Sequence, residues 1–246
     1  MVKLLTLSAL LATHVAAECT RESLQKHADT YISSLKAGSG LQASTYTEQF
    51  KPSSLAKGIH SKPIKVGLTR HLLDTTACAT FSEINAPENT PPMVIVTQTR
   101  YTDNKVSKME TLYTTKENGW IADPAVFASY AAKESRPMIP EGQRDTRAVI
   151  QSIADAYFDR FANQSVPVPH ASPCERLEGM MHVAPDCTAG IPKGNMKMTN
   201  RRYVIDEAYG TVDAFVNFGG GMPDSHEFRV EGGKLKYVHA VTVAKS

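Results

Sequence analysis

The sequence predicts an α+β protein made of two tandem repeats, each a helix packed on a curved antiparallel sheet. An amphipathic helix pattern occurs twice, and β-prone runs follow each copy in the same order. A hairpin closes each half, and the helices that a parallel doubly wound sheet needs between its strands are missing.

The first residues read MVKLLTLSALLATHVAA. Lys3 gives a positive start, Leu4 to Leu11 is a short apolar run, and Val15-Ala16-Ala17 fits a small-residue cleavage site. Residues 1–17 are therefore expected to be a secretory signal peptide rather than a membrane span. The rest of the 246-residue chain suffices for one large domain or two of ordinary size. A hydrophobic fraction of 41% and a charged fraction of 21% are those of a soluble globular protein, and a net charge of +2 gives no electrostatic case for nucleic acid or an acidic membrane.

The first repeat, residues 18–135, begins with Leu24, Ala28, Tyr31, Ile32 and Leu35 at helical spacing, with Gly38 as the stop. Thr20, Arg21, Gln25, Ala28, Asp29 and Tyr31 recur as Thr146, Arg147, Gln151, Ala154, Asp155 and Tyr157. Arg70-His71-Leu72-Leu73-Asp74 recurs as Arg202-Tyr203-Val204-Ile205-Asp206, and Arg100 to Val106 as Arg229 to Leu235. Helix, strand, strand and hairpin thus repeat in order, as in an internal duplication. Between the copies Trp120 ends a strand, and Asp123-Pro124 is an N-cap with proline at the first helical position of a short helix, Ala125 to Lys133. Residues 136–145 form the linker, and residues 146–246 the second repeat. Inside it the proline-rich stretch Val166 to Asn200 is expected to be a long irregular insert.

Within Pro223 to Val243, Gly232-Gly233 suits a two-residue hairpin turn. An unbroken register then sets Val230 opposite Leu235, Phe228 opposite Tyr237 and His226 opposite His239. The same register in the first half, with Asp103-Asn104 as the turn, sets Thr97 opposite Glu110. Two histidines on one apolar face are either satisfied core residues or an acid–base pair.

Four cysteines allow three pairings. Two fall in each half, which favours Cys19–Cys78 and Cys174–Cys187 among them; the wide spacings and an oxidising compartment argue against the alternative, a zinc site. Asn163-Gln164-Ser165 is a glycosylation sequon.

Cys174-Glu175-Arg176-Leu177-Glu178-Gly179, Thr199 to Glu207, Pro223 to Val230 and Leu72 to Phe81 resemble a family of secreted fungal proteins of unknown function. The order of helix and curved sheet is more remotely similar to the cone-shaped nuclear-transport-factor-like superfamily. That superfamily includes SnoaL-like polyketide cyclases, ketosteroid isomerases and scytalone dehydratase. The resemblance implies two cone-like, SnoaL-like repeats with a pocket between helix and sheet, but no particular reaction.

The second half is the better equipped. The expected site has His226 and His239 as acid–base pair, oriented by Asp206 or Glu178. Arg202 or Arg176 would hold an anionic oxygen, and Tyr237 is a further substrate contact. Arg202 and Asp206 read alternatively as a cross-strand ion pair. Such a site suits isomerisation, dehydration or cyclisation of a small carbonyl metabolite; the competing reading is a non-catalytic binding or protein-interaction module. No cofactor is implied. A metal held by the two histidines and a carboxylate lacks any compact motif. Neither nucleic acid nor membrane is expected as a partner, and a monomer with pseudo-dimeric halves is.

Overall fold

The structure, a computed structural model, describes residues 19–192 and 194–244; the expected signal peptide lies outside them. Helix α1 (Arg21–Ala37) is N-capped by Thr20, whose side chain accepts from the Ser23 amide, and ends at Gly38 with φ of 65°. Strands β1 (Thr45–Glu48), β2 (Lys51–Pro52), β3 (Thr69–Asp74), β4 (Ala79–Ala86), β5 (Met93–Thr102) and β6 (Lys105–Thr114) follow. Helix α2 (Pro124–Ala131) is capped by Asp123, whose carboxylate accepts from the Ala125 and Val126 amides. Helix α3 (Arg147–Ala162) opens the second half with Thr146 as N-cap. Its strands are β7 (His170–Glu178), β8 (Met181–Val183), β9 (Thr199–Asp206), β10 (Thr211–Phe218), β11 (Met222–Glu231) and β12 (Lys234–Thr242).

The two six-stranded sheets have the same order, β2-β1-β6-β5-β4-β3 and β8-β7-β12-β11-β10-β9. Both are mixed rather than purely antiparallel, because β1 runs parallel to β6 and β7 parallel to β12. The expectation missed these strands: β1 is only four residues long, and β7 carries Pro173 and a register shift against β12. Proline and irregular pairing erase the alternation by which a strand is recognised. The stretch expected to be an irregular insert therefore holds β7 and β8, and Trp120 lies beyond the end of β6 instead of closing it. The disulfides are the expected Cys19–Cys78 and Cys174–Cys187.

Helices α1 and α3 each lie on their own sheet, whereas α2 packs at the junction between the sheets. Leu24, Ala28, Tyr31 and Leu35 bury the inner face of α1, while Ile150, Ile153, Tyr157, Phe158 and Phe161 pack α3 on Val212, Phe228, Val230 and Val238. The opposite faces of the sheets meet each other. There Leu72, Phe81, Val96 and Leu112 of the first half contact Val204, Phe215, Val241 and Val243 of the second.

Two reciprocal ion pairs close this junction. Arg21 donates to both carboxylate oxygens of Asp206 at 2.8 and 3.0 Å, and Arg147 to both of Asp74 at 2.7 and 2.8 Å. The Leu73 amide also donates to Asp206, and the Ile205 amide to Asp74. All four charged residues are repeat equivalents, and the aspartate side chains are at most 1% exposed. Removing one member of a buried pair strands its partner at a cost of ~3–5 kcal/mol. Asp206→Ala and Asp74→Ala should each destabilise the protein by about that amount, read as a lowered urea midpoint.

Candidate functional site

The second hairpin is not in unbroken register. Val230 pairs with Leu235 as expected, but the next pair is Arg229 with Tyr237, so Lys236 is an extra residue on β12. This bulge moves every later partner by one position. Phe228 faces Val238, His226 faces Ala240, and His239 faces Glu227. Side chains alternate along a strand, so a one-residue slip exchanges the faces. His226 enters the interior beneath α3, whereas His239 lies on the face toward the other sheet, and the opposed acid–base pair and the two-histidine metal set do not form. The first hairpin bulges at the equivalent place, which pairs Thr97 with Thr111 and Gln98 with Glu110 instead of Thr97 with Glu110.

His226 lies in the wall of a cavity of about 300 Å³ between α3, the sheet and the loop after β8. Its Nδ1 is 2.5 Å from Asp224 Oδ1, and Thr242 donates to Asp224 Oδ2 at 2.5 Å. Asp224, His226 and Thr242 share one face because Asp224 and His226 are two residues apart and Asp224 pairs with Thr242. A carboxylate accepting from Nδ1–H leaves the lone pair on Nε2, and among the described residues Nε2 has no protein partner.

Arg176 and Glu178, two apart on β7, also line the cavity with Tyr157. Arg176 is spent on structure: it donates to the Cys187 and Ala189 carbonyls at 2.6 and 2.9 Å, and its Nε is 3.2 Å from Glu178. Burial pushes the Tyr157 hydroxyl up to about 12, so it stays protonated as a donor. The remaining wall is apolar, built from Phe161, Ile191, Pro192, Met196, Phe218 and Met222. A small, mostly apolar cavity with a few convergent polar groups is the usual form of a ligand site.

The first half fills the equivalent place. The Tyr31 hydroxyl, counterpart of Tyr157, lies 2.7 Å from Thr97, counterpart of His226, and 3.2 Å from His60. His60 is buried, also meets the Tyr46 hydroxyl at 3.0 Å, and has its pKa lowered to about 4 by burial.

The other expected site residues lie outside the cavity. Asp206 is held by Arg21 in the junction, and Arg202 reaches across to Glu110 at 3.2 Å while covering the Phe50 ring. These two therefore do not form the cross-strand pair with each other. Tyr237 lies beneath the Arg136 guanidinium. The structure thus brings together His226, Arg176 and Glu178, and adds Asp224, Tyr157 and Thr242. The signal for Asp224 was its spacing, since an Asp-x-His on a strand puts both side chains on one face.

His239 is the centre of a second, charged cluster between the halves. Nδ1 is 2.6 Å from Glu83 and Nε2 is 2.9 Å from Glu134, so both ring nitrogens act as donors and the ring is an imidazolium. Arg136 bonds both Glu227 oxygens at 2.5 and 2.6 Å, and Arg70 lies 3.1 Å from Glu134. Three carboxylates are thereby balanced by two guanidiniums and one imidazolium. Ligand atoms of Glu83, Glu227 and His239 lie within 4.8 Å of one another, but a cation there would have to displace the ring proton and compete with both arginines. Burial pushes His239 down, yet Glu134 and Glu83 outweigh it and raise its pKa. Burial likewise pushes Glu83 and Glu134 up, but His239, Arg70 and Arg136 together hold each at about 2.

A family model described as a domain of unknown function (DUF8021) matches residues 143–242, the half that holds the cavity. The search of curated proteins finds no match. Among solved structures, an NTF2-like protein of unknown function from Cytophaga hutchinsonii is 12% identical, with a TM-score of 0.33. The alignment covers 38% of this chain and 88% of that one.

A histidine whose folded pKa is raised stabilises the fold fully below its unfolded value and loses that contribution as pH rises through the folded value. The free-energy gap between wild type and His239→Gln should therefore narrow above pH 6.5, the ordinary histidine value. Urea unfolding at several pH values between about 6 and about 9 checks this.

Proposed function

We propose that this is a secreted protein of the SnoaL-like kind whose second half binds a small, largely apolar carbonyl compound and moves a proton on it. Isomerisation, dehydration and cyclisation all begin this way. The observation that carries the reading is the His226–Asp224 pair, with Nδ1 tied to a buried carboxylate and Nε2 left for the cavity. Nε2 would take the proton from the carbon beside the carbonyl, and the electron pair of that bond would form the enolate. Asp224 offsets the resulting imidazolium, and the Tyr157 hydroxyl donates to the enolate oxygen. The imidazolium then returns the proton to carbon or to a departing hydroxyl. Secretion is supported by the sequence of residues 1–17 and by two disulfides. The exposed Asn163 at the end of α3 is open to glycosylation.

A second reading, binding without turnover, is favoured by Arg176. Its guanidinium is occupied by main-chain carbonyls and Glu178, so among the described residues no free cation faces a developing oxyanion. Exchange of the α-protons of 2-tetralone in deuterated water, followed by NMR, separates the two. Proton transfer predicts accelerated exchange that falls ~10²–10⁴-fold in His226→Ala, with a smaller loss in Tyr157→Phe. Ligand line-broadening with no accelerated exchange would leave binding alone, and exchange unaffected by His226→Ala would remove the histidine from the chemistry.

A further inference from the structure

Two segments beside the cavity carry exposed apolar side chains, and Trp120 and Met181 among them reach its wall. Trp120 is 50% exposed, Ile121 36%, Met180 52% and Met181 42%, and these residues come from two neighbouring segments, Trp120-Ile121 and Met180-Met181. The Met180 amide donates to the Ile121 carbonyl. A Cβ on Gly179 would lie 2.7 Å or less from the Trp120 and Ile121 carbonyls, and Gly179 has φ of 58°, so only glycine allows this close approach. The Trp120 amide bonds the Thr242 carbonyl, and Gly119 bridges Val243. The segment after β6 is thus stitched to the end of β12 and to the β7–β8 turn, and the first half lends its tryptophan to the cavity of the second.

Trp120 and Met181 line the cavity itself, so this apolar surface is the outward continuation of its wall. A cavity of about 300 Å³ is at the small end for ligand sites; it holds a compact ring and little more. Of the charged side chains among the described residues that line it, Arg176 and Glu178 neutralise each other, which leaves Nε2 of His226 as an acceptor suited to a neutral hydroxyl donor.

We infer that the ligand is a neutral amphiphile. The ring that bears its carbonyl sits, in the enol form that a phenol mimics, against His226, and its alkyl chain leaves the cone across the collar of Trp120, Ile121, Met180 and Met181. This rests on the cavity being the binding site, and it goes further in assigning a chain to the ligand and a role to the collar.

Trp120 is the sole tryptophan, so its emission reports cover of the collar directly. Phenol, 4-butylphenol and 4-octylphenol serve as probes, titrated by calorimetry and by fluorescence. Wild-type affinity should rise about two- to fourfold per methylene while the chain covers the collar, with a blue shift for the alkylated probes only. In Trp120→Ala and in Met181→Ser the ratio of the phenol and 4-octylphenol dissociation constants should collapse toward one. Equal wild-type affinity for phenol and 4-octylphenol, or a ratio untouched by both substitutions, overturns the collar assignment and leaves the cavity reading standing. Absence of calorimetric binding by every probe removes both. A blue shift on adding phosphatidylcholine vesicles alone gives the collar to a lipid surface, and a dimer in sedimentation that Trp120→Ala dissolves gives it to a second copy. Either outcome overturns the inference.

Discussion

The reciprocal pairing of Arg21 with Asp206 and Arg147 with Asp74 is the constraint on which the rest of the molecule depends. A carboxylate this deeply buried cannot remain charged without a partner, and each half supplies the arginine that the other half needs. Residue i of one copy contacts j of the other while j contacts i, the relation found at an isologous dimer interface. Here the two copies are joined in one chain. Because the pairs fix β3 against β9, the faces of both sheets away from α1 and α3 turn toward each other and these two helices turn outward. That decides which side chains can meet a ligand beneath a helix and which must be satisfied at the junction.

Most of the architecture was legible from residue pattern. The repeat was visible in Thr20-Arg21 and Thr146-Arg147 and in the two Arg-x-x-x-Asp strands, although nothing in the sequence said that these arginines and aspartates pair crosswise. Both disulfides, the Asp123 cap and the Gly38 stop followed from local chemistry. The parallel edge strands did not, because β1 is short and β7 is interrupted by Pro173. The site was half legible. His226, Arg176 and Glu178 line the cavity, but the partner assigned to His226 was wrong, because the position of a bulge is not written in hydrophobic alternation. Lys236 looks like an ordinary outward residue of an alternating strand; only the pairing shows that Leu235 and Tyr237 flank an insertion.

That single extra residue gives the two histidines different chemistry. His226 is reached from the cavity and has one carboxylate partner, which leaves a nitrogen without a partner among the described residues. His239 has a carboxylate on each nitrogen and two arginines close by, so it behaves as a fixed cation within a neutral cluster. The comparison with the first half shows the reason for the cluster. Glu110, the counterpart of His239, faces Arg202 as an ordinary ion pair. With histidine at the equivalent position facing Arg70, the negative charge there comes from Glu83 and Glu134 instead.

The two halves therefore differ where the constraint between them is weakest. A change at the clasp strands a buried charge in the opposite half, so the clasp is held in both copies. The space beneath each helix is walled mainly by its own half, and there one copy could close while the other opened. His60 and two tyrosines fill the first interior with mutual hydrogen bonds. The second places its helix and sheet around an apolar cavity, and the β7–Cys187 loop, pinned by Cys174–Cys187 and by Arg176, holds the wall open. The first copy still contributes at the rim, since Trp120 reaches the mouth through the same stitched segment that ends its own sheet. One half is a scaffold with a tryptophan to lend, and the other carries the candidate site.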